Sequence, residues 1–252
     1  MLGPWTPVAA FFVAFVMVLL LTRWITHHLQ GVLFLLGADA EVVMYLQFAL
    51  LFPGILVHEA AHWLTAKLLG VRTLDFSVWP KRKTKGKVQY GAVRIAQTDI
   101  VRGSLIGLAP LVVASLLIIA IGRYALGTEA LRQAVASGQW GQAWSALSQS
   151  IRAADFWLWM YLVFAISNAM FPSESDREAW KPLLLYAAVA AVLLYLAGWK
   201  PTMESVQGVL ARVMNPLLYA FTVTAAVDLF FAAVIGLAEI VMGRLLGKRV
   251  VY

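Results

Sequence analysis

A histidine, a glutamate and a second histidine stand at His58, Glu59 and His62 inside a long apolar run, in the string Val57-His58-Glu59-Ala60-Ala61-His62-Trp63. On a helix, residues four apart are separated by about 400° of rotation and about 6 Å of rise. The two imidazoles therefore stack on one face, within reach of a single metal ion. Glu59 is turned about 100° from His58, which suits a base acting on water better than a third ligand. Zinc chemistry needs that division of labour. Two neutral imidazoles hold the ion, the ion lowers the pKa of water towards about 7, and a carboxylate takes the proton. With only four histidines in the chain, a chance HExxH is of order a few in a thousand. A charged side chain near a bilayer centre costs about 2.5–3.5 kcal/mol, and zinc coordination, worth about 10–16 kcal/mol in small structural sites, can offset it. Without a metal, the same residues would be ordinary interhelical hydrogen-bonding groups.

Two histidines leave such a site incomplete, because a catalytic zinc takes a third protein ligand and keeps one position open. The chain has no cysteine, so thiolate ligands and thiol nucleophiles are excluded. His27 and His28 are expected in a loop on the opposite side of the membrane. Acids remain: Glu174, Asp176 and Glu178 beyond the fourth apolar run, Glu239 near the end of the sixth, and Asp228 closer to the midplane. Periodicity and depth do not separate Asp176 from Glu239. Asp228 and Glu239 are eleven residues apart, about three turns, and share a helix face. They are expected to pair with a basic residue of another span, to support the metal, or to line a water path. Lys67 is expected to snorkel to the interface.

The elements that position these residues follow from composition. The chain is 62% hydrophobic and 13% charged, against about 45–50% and about 25% in soluble domains. That excludes a disordered chain, a nucleic-acid-binding module and a disulfide scaffold, and marks an all-α polytopic membrane protein in contact with the lipid bilayer. Six runs approach the length of about 20 apolar residues needed to cross the hydrocarbon: 6–22, 41–69, 103–124, 156–171, 182–198 and 216–243. The charge of +7 then reads as loop charge. Arg72, Lys81, Arg82, Lys83, Lys85, Lys87, Arg94, Arg102, Arg177, Lys181, Arg244, Lys248 and Arg249 fall on one side, and six basic residues on the other. This predicts cytoplasmic N- and C-termini. Between the second and third runs, Thr73–Val78 and Lys87–Ile95 flank a polar turn at Pro80–Gly86, predicting a small β-hairpin on the cytoplasmic face. Residues 127–153 predict a surface helix with an apolar stripe of Leu131, Trp140, Trp144 and Leu147. The whole of 1–252 reads as one membrane-embedded domain, with a core at 41–180 and peripheral helices at 1–40 and 181–252, and no room for a PDZ or other sensing domain.

This arrangement resembles the site-2 protease family of intramembrane zinc metalloproteases. The features that carry it are HExxH in a membrane helix, then a cytoplasmic hairpin, a third helix, and an Asn and Asp eight residues apart on a fourth, here Asn168-Ala169-Met170-Phe171-Pro172-Ser173-Glu174-Ser175-Asp176. Gly70-Val71 and Ala109-Pro110 are also similar to the family, covering residues 50–180 in all. Two positions depart from its pattern: Val113 where the family has an Asn, and Arg177 where it often has Gly. The resemblance implies His58, His62 and Asp176 as zinc ligands, Glu59 as catalytic base, and Asn168 as a polar group that holds substrate. It also implies hydrolysis of a peptide bond in or beside a substrate's transmembrane segment; the absence of Cys and the compact size suit a prokaryotic cytoplasmic membrane. Asn168 could equally serve only to join helices. The hairpin could pair with an unwound substrate as an added strand, with Thr73–Val78 as the expected edge. The rival enzyme is a prenyl-protein-type membrane zinc protease taking Glu239 as third ligand. A non-catalytic zinc-binding adaptor is the rival from another class, and transport is weakened by the lack of a repeat.

Overall fold

The computed structural model describes residues 5–82, 88–178, 180–248 and 250. Lys83, Lys85, Lys87 and Arg249, which enter the charge asymmetry, lie outside the described residues. The elements are α1 (Thr6–Leu35), α2 (Ala40–Leu68), β1 (Thr73–Arg82), β2 (Val88–Ile95), α3 (Ile100–Ala120), α4 (Thr128–Ala136), α5 (Trp140–Ile151), α6 (Phe156–Ala169), α7 (Trp180–Leu196) and α8 (Met203–Leu246). Among the described residues, α1, α2, α8, and α3 with its terminal π-helical turn are long and apolar enough to cross a membrane. The expected fourth and fifth spans form apolar helices, Phe156–Ala169 and Pro182–Leu196, that fall short of that length.

The carrier of the HExxH string is capped at both ends. Asp39 Oδ1 accepts the N–H groups of Glu41 and Val42 at 2.9 Å, satisfying donors that a helix start leaves open. At the other end Gly70 takes φ +69°, and Val71 N–H returns to the Ala66 carbonyl at 2.8 Å. That is a Schellman stop, and it explains why a Gly-Val pair follows the motif helix.

α2 and α6 run parallel at a constant offset of 111 residues. Tyr161 Oη donates to the Leu50 carbonyl at 3.0 Å, and His58 meets Ala169. Between these, Gly54 faces the Ala165 carbonyl so closely that a Cβ there would collide with backbone. α1 and α8 form a second parallel pair: Phe11 and Phe15 pack on Phe221, Trp24 on Gly236, and His28 on Glu239. Six alternating spans would make the first and last antiparallel, so this pair departs from the expected arrangement. The core between the pairs includes Val18, Ile118, Val163 and Phe221, all buried.

Several local expectations are corrected. The first helix continues to Leu35, which places Arg23, His27 and His28 inside it rather than in a loop. The last extends well before 216, through Pro216, to begin at Met203. Residues 127–153 form two helices broken at Gly138, whose φ is +70°. Trp140 and Trp144 are exposed, and the buried positions are Ala134 and Ala143. Strand β1 continues through Pro80, which pairs with Tyr90 beside a register shift, the kind of irregularity that admits proline in a ladder. The hairpin packs along α2: Phe76 meets Trp63, Trp79 meets Phe48, and Tyr90 Oη reaches Gln47 at 2.9 Å. Lys67 lies over the Trp63 ring at 4.0 Å, a cation–π contact in addition to any interfacial role.

Candidate metal centre

Each imidazole of the motif is held by its Nδ1. His58 Nδ1 donates to the Ala169 carbonyl of α6 at 2.6 Å, and His62 Nδ1 donates to the Ile106 carbonyl of α3 at 2.8 Å. A carbonyl can only accept, so both protons sit on Nδ1 and, in the neutral rings, both Nε2 atoms carry lone pairs. This outer contact is the one that orients metal-bound histidines. The two Nε2 atoms face each other at 3.2 Å.

Asp176 completes the group. Pro172 cannot continue α6, and the chain turns so that Ser173 N–H donates to Asp176 Oδ2 at 2.7 Å. The carboxylate then stands 3.3 Å from His62 Nε2 and 3.7 Å from His58 Nε2. Gly107 of α3 makes the approach possible, because a Cβ there would meet the Asp176 backbone.

Three electron-rich groups thus converge with nothing among them to donate. Ligand atoms about 2.0–2.1 Å from a tetrahedral zinc stand about 3.3 Å apart; the two Nε2 atoms at 3.2 Å and His62 Nε2 to Asp176 Oδ1 at 3.3 Å are near that value, while His58 Nε2 is 3.7 Å from the other oxygen, Oδ2. Among the described residues, His58, His62 and Asp176 are the group able to hold a metal ion. The geometry and the donor chemistry both fit a zinc-type site.

Glu59 lies beside this group, and its carboxylate runs over Gly91 of β2. Gly91 has φ +78°, and a Cβ there would come within 2.5 Å of Glu59 Oε1. Glu59 and the three converging residues line a cavity of about 910 Å³ that extends along α2 to Gln47. There Gln47 accepts from Gln30 of α1 at 2.8 Å and from Tyr90 of β2. Burial pushes the Tyr90 phenol up to about 12, which keeps it a donor. Residues 90–93 and Ile95 of β2 line the cavity; the expected edge, Thr73–Val78 of β1, does not.

The other candidate residues are placed elsewhere. Glu174 and Glu178 line the cavity as exposed side chains. Glu239 accepts from His28 of α1 at 2.5 Å and lines a different cavity, of about 550 Å³. Asn168 borders the main cavity, yet its Nδ2 turns to the Phe164 carbonyl at 2.9 Å and to Asp228 Oδ1 at 3.2 Å. Asp228 is fully buried and also accepts from Ser167 Oγ at 2.9 Å. Gly91, Gly107 and Gln47 were not legible as site residues: a glycine announces a turn in sequence, not the distant group it makes room for. No family model, curated protein or solved structure matches the chain, so the resemblance to the site-2 proteases rests on its residues alone.

Proposed function

We propose that the chain is an intramembrane zinc metalloprotease that hydrolyses a peptide bond in or beside a substrate's transmembrane segment. The observation that carries this reading is the convergence of His58, His62 and Asp176 beside Glu59 on the wall of one cavity. A zinc ion held by those three residues would polarise the scissile carbonyl and acidify a water molecule. Glu59 accepts the proton of the attacking water as the carbon–oxygen bond forms, and passes a proton to the amine as the carbon–nitrogen bond breaks. The cavity is walled by Leu51 and Ile55 as well as by polar groups, which suits an apolar segment with its backbone exposed. Strand β2 runs alongside, and its cavity-facing residues favour it over β1 as the strand that an extended substrate would join. The basic residues of the hairpin and of the turn after α6 favour a cytoplasmic site.

The test is zinc content and cleavage in parallel. Purified wild type should carry about one zinc per chain and cleave a transmembrane substrate. Asp176→Ala should lose the zinc, and Glu59→Gln should keep it and lose cleavage by at least about 10²-fold. A well-folded wild type that takes up no zinc would sink the enzyme reading. Zinc binding with no cleavage dependent on Glu59 would leave the adaptor reading in its place.

A further inference from the structure

We propose that Asp228 is a positioning residue for the metal centre, acting through α6 on His58. This rests on the zinc reading above and adds to it a residue on α8 that touches neither metal nor substrate. Asp228 Oδ1 accepts from Ser167 Oγ at 2.9 Å and from Asn168 Nδ2 at 3.2 Å. The next residue, Ala169, supplies the carbonyl that takes the Nδ1 proton of His58 at 2.6 Å. Three consecutive residues of α6 therefore connect a carboxylate on α8 to one metal ligand.

The physical need lies in where α6 stops. Ala169 is its last residue, and the last carbonyls of a helix have no intrahelical partner. That leaves the Ala169 carbonyl open to His58, but on a turn that frays unless something holds it. Asp228 holds it through the two residues that precede Ala169. The arrangement is costly: Asp228 is fully buried, and both its Oδ2 and Asn168 Oδ1 are buried without a hydrogen-bond partner among the described residues. Apolar side chains at 167, 168 and 228 together would avoid that cost, so packing alone does not account for the polar cluster. His62 is held independently, by α3. Asp228 should consequently govern one imidazole and not the other.

The experiment uses the full chain in detergent and reads the zinc dissociation constant, by competition with a chelator, together with the absorption spectrum of the cobalt-loaded protein. Loss of an outer contact to a metal ligand costs about 10–100-fold in affinity. Asp228→Ala should weaken zinc about 10-fold and shift the cobalt bands. Asp228→Asn should restore both, because its amide oxygen can accept the same two hydrogen bonds. As a control, Ile235→Ala removes a buried side chain two turns further along α8 and should leave both unchanged, whereas general loosening of the bundle would lower affinity in both variants alike. Should Asp228→Ala fail to fold, the double change Ser167→Ala with Asn168→Ala severs the same link from α6 and carries the same expectation. Unchanged affinity and spectrum in Asp228→Ala, or an equal loss in Ile235→Ala, overturns the positioning role alone. Absence of zinc binding in wild type overturns the proposed function and this role with it.

Discussion

Two parallel helix pairs organise this protein, and each brings a histidine to an acid. In α1–α8 the histidine is satisfied: His28 donates to Glu239 and lies flat on Trp24, with ring centroids 3.9 Å apart. In the α2–α6 pair, His58 and His62 spend their protons on backbone carbonyls and turn bare Nε2 atoms towards each other and towards Asp176. Both pairs use the same residue types. The difference is the number of donors among them. A pair that closes its own hydrogen bonds is structure, and one left with only acceptors is a place for a cation.

The largest effect that would sharpen this contrast is expected at Gly91. The φ of +78° disfavours any side chain, and a Cβ would be 2.5 Å from Glu59 Oε1, so Gly91→Ala must displace Glu59, the proposed base. A misplacement of about 1 Å can cost about 10² in rate, and the three residues of the proposed metal centre are untouched. Gly91→Ala should therefore lose about 100-fold in cleavage and keep its full zinc content. Loss of zinc in the same variant would mean that β2 shapes the whole centre rather than aligning Glu59.

A matched pair of glycines provides the next contrast. Gly54 lets α2 reach the Ala165 backbone, and Gly236 lets α8 reach the edge of Trp24, where a Cβ would stand 3.2 Å from the indole. A backbone carbonyl on a packed helix cannot retreat, and an indole can. Gly54→Ala should destabilise by about 1–3 kcal/mol and draw the Ala169 carbonyl away from His58, weakening zinc about 10-fold. Gly236→Ala should cost less than about 1 kcal/mol and leave zinc affinity unchanged. Equal effects on zinc would show that the two pairs are mechanically one unit, and the contrast between them would fail.

How far the sequence revealed these pairs depends on the range of the interactions involved. HExxH is local, so helix periodicity alone placed His58 and His62 on one face. The hairpin is local as well and was legible, whereas Gly70-Val71 entered only through the family resemblance and its helix-stopping role was not read. Asp176 was not separable from Glu239 by pattern, since each is an acid after an apolar run; the Asn168-to-Asp176 interval pointed to it only through a family resemblance. The parallel α1–α8 pairing was illegible, because alternation of spans is an assumption about helices that all cross. Pairing across 211 residues between His28 and Glu239 leaves no periodic trace. The hairpin's placement along α2 was missed for a related reason. Trp79 and Tyr90, which dock it on Phe48 and Gln47, look in sequence like ordinary strand aromatics.

The smallest effect is the most exacting for the comparison, because it asks that a conspicuous acid do nothing at the site. In Glu239→Gln the amide oxygen still accepts from His28, so only the charge assistance of that bond is lost, about 1 kcal/mol of stability. Zinc content and cleavage should match wild type. The outcome separates two ways in which an acid near the end of a long apolar helix can be retained. If Glu239 only closes the α1–α8 pair, its charge is replaceable by any acceptor of the same shape. If zinc falls in Glu239→Gln while the fold persists, Glu239 reaches the centre in the working protein, and satisfied hydrogen bonds are no guide here to which histidine–acid pair binds metal.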